Sequence, residues 1–87
     1  MSQNPRNNSD LLAEAFGGVL RDLRKERGLS QEDLGFESGY HRTYVSLLER
    51  GVKSPSLQTL FELSRALNIR PSELLALVER TTHRKLK

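Results

Sequence analysis

The sequence predicts an all-α fold of five helices, and three observations carry that prediction. Apolar residues return at helical steps of three and four; Ser9, Ser30, Ser56 and Pro71 stand where such runs begin; Gly28, Gly51 and Asn68 stand where they end. Residues 1–8 are polar, rich in Asn and interrupted by Pro5. They cannot bury enough apolar surface to offset the entropy of ordering, so a disordered arm is expected there. Ser9 is the expected N-cap of a first helix bearing Leu11, Leu12, Ala15, Phe16, Val19, Leu20 and Leu23, which should stop at Gly28. Gly17 and Gly18 each weaken that helix by about 1 kcal/mol relative to alanine, which points to a packing reason or to local flexibility.

Ser30 can cap the second helix by bonding the backbone amide of Asp33, whose carboxylate suits the first turn. The third helix should run from Arg42 to Arg50 and end at Gly51. Between the two, Gly35 permits close helix approach and Gly39 can supply the positive φ of a sharp corner, while Leu34, Val45 and Leu48 face inward. Residues 31–50 therefore form a helix-turn-helix. A loop, Val52 to Pro55, precedes a fourth helix capped by Ser56, carrying Leu57, Leu60, Phe61, Leu63, Ala66 and Leu67, and ended by Asn68 in a left-handed cap. Pro71 opens the fifth helix, with Glu73 in its first turn and Leu74, Leu75, Leu77 and Val78 over much of its surface. The folded domain is assigned to residues 9–80 and a basic tail to 81–87.

Two charges stand where apolar residues belong. Arg24 continues the series Leu12, Phe16, Leu20 at steps of four, and Glu49 lies four residues after the inward-facing Val45. An unpaired buried charge would cost several kcal/mol, so Arg24 and Glu49 are expected to pair and to lock the first helix to the third.

Composition narrows the function classes. At 87 residues the chain has room for one small core but not for a second lobe around a cleft. Cysteine is absent, which excludes disulfides and cysteine-ligated zinc; no apolar run approaches the roughly 20 residues of a membrane span. A soluble, cytoplasmic protein that touches no membrane is expected. Fourteen Lys and Arg against 11 Asp and Glu give a net charge of +3, a mild bias toward polyanions, though a 29% charged composition is ordinary for a helical domain.

On the third helix the positions opposite Val45, Leu48 and Glu49 are Arg42, Thr43, Ser46, Leu47 and Arg50. Arg42 can read a guanine edge through paired hydrogen bonds, Thr43 and Ser46 can bond bases or phosphates, and Leu47 can touch a thymine methyl. Tyr44, Arg50, Lys53 and Ser54 are candidate phosphate contacts. Each of these could instead be a solvated surface side chain.

From about Phe16 to Leu75 the chain resembles the phage repressor and Cro type of helix-turn-helix domain, the Xre family. The resemblance rests on Leu20 to Leu34, Gly39, Arg42 to Ser46, Glu49 to Gly51 and Pro55 to Leu60. It implies a five-helix phage-repressor-like DNA-binding domain, with Gln31 on a backbone phosphate and the third helix in the major groove. His41 replaces the small capping residue common in the family; it could approach the DNA or merely cap the helix. Gly35, where alanine is usual, is conservative for packing on this reading, and Phe36 and Tyr40 should thicken the core around the turn. Metal binding at His41 is not expected, because His83 is the only other histidine and lies in the tail; no cofactor is implied.

The short length, the segment His41 to Ser46 and the lack of an effector domain are similar to the controller proteins of restriction-modification systems. Small autoregulatory repressors and antitoxin-like regulators share the architecture. One recognition helix reads few base pairs, so a homodimer on a pseudo-palindrome is expected, with Ile69, Leu74, Leu77 and Val78, beside Leu67 and Leu75, as its interface. Bound near a promoter, such a dimer would block or recruit RNA polymerase. A protein-interaction module on the same fold is the alternative, which absence of duplex DNA binding would favour. An enzyme is not expected, since no cysteine nucleophile, phosphate-cradling glycine loop or convergent His and carboxylate set is present.

Overall fold

Helix ends in this chain fall where a side chain or a left-handed residue can satisfy the backbone groups that a helix leaves unpaired. The computed structural model describes residues 8–86, with side chains from Asp10 to His83. Its helices are α1 (Asn8–Glu26), α2 (Gln31–Ser38), α3 (Arg42–Glu49), α4 (Leu57–Ala66) and α5 (Pro71–Leu86). Ser30 accepts from the Asp33 N–H while the Asp33 carboxylate accepts from the Ser30 N–H, a reciprocal box that starts α2. Ser56 Oγ accepts from the Thr59 N–H at the start of α4, a one-way cap, and Asn68, at φ 57°, turns the chain out of it.

Two ends differ from expectation. α1 already includes Asn8, so Ser9 lies inside its first turn and is not the cap; the rest of the expected disordered arm lies outside the described residues. α5 continues to Leu86, through the stretch assigned to a separate basic tail, because residues 80–86 contain no glycine or proline to stop it.

α1 packs across α3 and α5, α2 against α3 and α4, and α4 against α5, enclosing one core. Leu20, Leu34, Val45, Leu48, Leu63 and Leu74 are fully buried in it, with Phe16, Leu67 and Val78 almost so. Gly17 has the packing reason its position demanded: a Cβ there would overlap the carbonyl oxygen of Leu48, so α1 meets the last turn of α3 backbone to backbone. A Cβ at Gly18 would meet nothing, and packing does not explain that residue.

Some apolar residues counted toward the core are outside it. Leu57 and Phe61, four apart, occupy the outer face of α4, and Leu12 lies at the edge of α1 while Ala13 is buried instead. Phe36 is 89% exposed and does not thicken the core, because α2 turns Leu34, Gly35 and Ser38 inward and leaves residue 36 on the far side.

Arg24 and Glu49 are buried together. Arg24 Nε and Nη2 donate to Glu49 Oε2 and Oε1 at 2.6 and 2.9 Å, and Arg24 Nη1 donates to the Leu29 carbonyl at 2.8 Å. The hydrogen bonds that Arg24 donates to the Glu49 carboxylate, opposed by burial, raise the Arg24 pKa above its ordinary value, so the guanidinium stays charged. Removing one partner leaves the other charge buried and uncompensated. Arg24→Ala should therefore lower stability by about 3 kcal/mol or more in denaturant melts, while Arg24→Met with Glu49→Leu should lose less. A single variant that melts like the wild type would mean that the pair contributes nothing to the fold.

Candidate nucleic-acid interface

α3 owes its position to Val45, Leu48 and Glu49, which are buried, and to the turn that precedes it. Gly39 adopts φ 88°, and its N–H and that of Tyr40 both donate to the Gly35 carbonyl at 2.8 Å. A Cβ on Gly35 would overlap the Tyr40 carbonyl oxygen. Glycine here is thus not interchangeable with alanine, contrary to the sequence reading: the corner is closed too tightly for a methyl group.

His41 caps α3. Its Nδ1 accepts from the Thr43 N–H at 3.0 Å, which leaves the ring proton on Nε2 at the exposed edge. The capping contact, one of the two readings left open for this residue, is formed. Beyond the cap, Arg42, Thr43 and Arg50 are exposed and Ser46 and Leu47 half-buried, a single outward face. Arg50 Nε approaches Ser46 Oγ at 3.3 Å along that face. Lys53 and Ser54 are exposed in the loop that follows, held against the helix end by the Val52 N–H on the Leu47 carbonyl at 3.0 Å.

Tyr44 is half-buried, its ring 5.2 Å from that of Tyr40. Tyr40 donates its hydroxyl to Thr59 Oγ1 at 3.0 Å, and Thr59 Oγ1 lies 2.9 Å from Ser56 Oγ. The turn is therefore tied to the start of α4, a link that no spacing in the sequence disclosed because its ends lie 19 residues apart.

Gln31, at the start of α2, donates Nε2 to Glu49 Oε1 at 3.0 Å. Arg21, absent from the sequence-derived set, brings Nε to 3.8 Å from the same oxygen. Its place three residues before Arg24 on one helix face was the signal available for it. The Asp33 carboxyl is held below the usual carboxylate range, first by the Ser30 backbone N–H and then by the Ser30 hydroxyl. Its contribution to the α2 cap is present at neutral pH and is lost as pH falls through that lowered range.

The supposed dimer residues are placed differently. Leu74 is wholly buried in the chain's own core and Val78 nearly so, although Val78 also lines a surface groove with Leu12 and Leu75; Ile69 and Leu77 are half-buried against the core. Exposed apolar side chains include Leu57 and Phe61 on α4, Leu75 on α5 and Leu12 on α1, besides Phe36 and Val52. Phe61, Ile69 and Pro71 line a groove of about 400 Å³ with Gln58, Glu62 and Arg65. Among the described residues no group of His, Cys, Asp or Glu could hold a metal ion, and no helix is long and apolar enough to cross a membrane.

A short helix locked into the core, a closed glycine corner and a second helix that presents a polar face to solvent define a helix-turn-helix module of the DNA-binding kind. The chain belongs to the helix-turn-helix family HTH_3, whose model matches residues 20–74. It is 43% identical over 61 residues to the control protein C.BamHI of Bacillus amyloliquefaciens, covering 69% of this chain and 75% of that protein. The crystal structure of the restriction-modification controller protein C.AhdI from Aeromonas hydrophila superposes with a TM-score of 0.70 at 48% identity, covering 71% of this chain and 94% of that one. The controller protein C.Esp1396I, solved as a tetramer in complex with its natural operator, matches with a TM-score of 0.75 at 25% identity over 82% of this chain and 93% of that one.

Capping gives His41 a measurable role. His41→Ala should cost about 1 kcal/mol in denaturant melts and His41→Ser should recover most of it, since serine offers the same acceptor to the amide. Equal melting of all three proteins would show that the imidazole contact does not stabilise α3.

Proposed function

We propose that this protein is a sequence-specific transcriptional regulator of the controller type, which binds a pseudo-palindromic operator as a homodimer in the cytoplasm and carries out no catalysis. The observation that carries the reading is the outward face of α3, where Arg42 and Thr43 are exposed beside Ser46 and Leu47 on a helix fixed by the buried Glu49. In the major groove Arg42 would donate a pair of hydrogen bonds to guanine, Thr43 and Ser46 would bond base edges, and Leu47 would meet a thymine methyl. Gln31, Tyr44, Arg50, Lys53 and Ser54 would set the register on the phosphates, with His41 beside them at the helix entrance. Similarity to control proteins and to a controller solved on its operator supports the assignment. Bound beside a promoter, the dimer would block or recruit RNA polymerase.

Two copies are needed because one α3 spans only a few base pairs. The groove at the α4–α5 corner, with Phe61 and Leu57 exposed and Ile69 half-buried, offers the apolar surface that Leu74 and Val78 do not. A two-fold contact there would join the same apolar patch on both copies.

Selection from a random duplex library, followed by titration at two salt concentrations, tests the reading. An enriched inverted repeat with steep salt dependence is expected; absence of enrichment would reject sequence-specific regulation and favour a protein-binding role. On the selected duplex Arg42→Ala should cost about 1–3 kcal/mol and relax base preference, whereas Lys53→Ala should weaken all sequences alike. Equal losses for both variants on selected and random DNA would overturn this division of roles. Phe61→Glu should sediment as a folded monomer with weakened operator binding; an unchanged sedimentation coefficient would exclude the α4–α5 corner as the interface.

A further inference from the structure

Among the described residues Phe36 is the most exposed of the large apolar side chains. The tyrosines near it are engaged by the fold: the rings of Tyr40 and Tyr44 lie 5.2 Å apart, and Tyr40 is bonded to Thr59. A single apolar side chain in solvent is ordinary, so the surroundings of Phe36 decide what it can do. Phe36 and Glu32, one turn apart on α2, share an open cavity of about 340 Å³ with Tyr40, His41 and Arg42. The corner at Gly39 thus brings the outer face of α2 and the first residue of α3 to one recess.

The chemistry of the recess selects its occupant. The exposed carboxylate of Glu32 offsets the charge of Arg42, so the recess has no surplus positive charge with which to draw a phosphate. Arg42 offers a fork of donors, and His41, whose Nδ1 is spent on the Thr43 N–H, offers Nε2 as a further donor. Phe36 adds an apolar face beside these donors. Acceptors next to a methyl group are what the major-groove edge presents where a guanine neighbours a 5-methylated pyrimidine.

We propose that Phe36 is a specificity-determining residue, which packs on the 5-methyl group of the pyrimidine in the base pair next to the guanine that Arg42 reads. This rests on the DNA-binding reading above and extends the reading surface from α3 to the outer face of α2. Thymine and 5-methylcytosine both carry the group, and unmethylated cytosine does not. The ring of Phe36 therefore discriminates by the methyl group alone, whichever pyrimidine bears it, while Arg42 fixes the register by its hydrogen bonds.

The test uses the full chain on the selected duplex, with single thymines replaced by deoxyuridine, which removes the methyl group and keeps the base pairing. At the base pair beside the guanine that Arg42→Ala ceases to prefer, the replacement should weaken binding about fourfold in each half-site. Phe36→Ala should bind the thymine and deoxyuridine duplexes alike, and Phe36→Leu should retain part of the difference. Both variants should melt like the parent protein, because the ring is 89% exposed. Where the selected pyrimidine is cytosine, 5-methylcytosine should strengthen binding by the parent and not by Phe36→Ala, which would assign the methyl group to modified DNA. Indifference of the parent to the methyl group at that base pair, or discrimination that survives in Phe36→Ala, would overturn the proposal while an enriched operator leaves the DNA reading intact. Absence of any enriched sequence would overturn both. A loss in Phe36→Ala accompanied by undiminished discrimination would make the ring a generic contact and likewise reject the proposal.

Discussion

The Glu49 carboxylate fixes the relative positions of three helices. It receives Arg24 from α1 through two hydrogen bonds and Gln31 from the start of α2, and it sits on the last turn of α3. Hydrophobic contacts among Leu20, Leu34, Val45 and Leu48 hold these helices together but are tolerant of small rotations, since apolar burial has no direction. A bidentate guanidinium–carboxylate pair is not tolerant, because its strength depends on planar alignment and its desolvation is offset only when that alignment is kept. Gly17 is the condition for the pair: without a side chain at that position α1 can lie against the end of α3.

That constraint matters because α2 and α3 have eight residues each, below the length at which a helix persists alone in water. Their order comes from packing on one face and from caps at the ends. Ser30 and Asp33 close the start of α2, Gly39 its end, and His41 the start of α3. Tyr40 then fastens the corner between them to Thr59 of α4. The outward residues of α3 are placed by the buried face of the helix and its caps, so the fold puts no demand on the exposed side chains of Arg42 and Thr43.

Local and periodic features were legible from the chain alone. Ser30, Ser56, Asn68 and Pro71 mark helix ends by their own chemistry, and Arg24 and Glu49 declared their pairing by standing in apolar series. What was not legible depended on which side of a short helix faces the core. Phe36 looked like core by residue type, yet the face that α2 buries carries Leu34, Gly35 and Ser38, and the aromatic ring one step from Gly35 points away. The tight fit of Gly35 beneath the Tyr40 carbonyl is a property of the closed corner and not of either residue. The Tyr40 and Thr59 bond joins segments whose proximity only the fold creates.

The fifth helix shows why counting apolar residues misplaces an interface. Four aliphatic residues between positions 74 and 78 cover more than one face of a helix, and surplus surface is a fair sign of an unseen partner. The core takes Leu74 and Val78 outright and Leu77 in part, since α5 must seal α1 on one side and α4 on the other. Only Leu75 is left outward from that run. Two further exposed apolar groups lie on α4, where Leu57 and Phe61 follow at a helical turn and Ile69 and Pro71 line a groove with Phe61. A contact centred there would use rigid aromatic surface already presented to solvent, at little entropic cost, and would leave both the core and the reading face of α3 undisturbed.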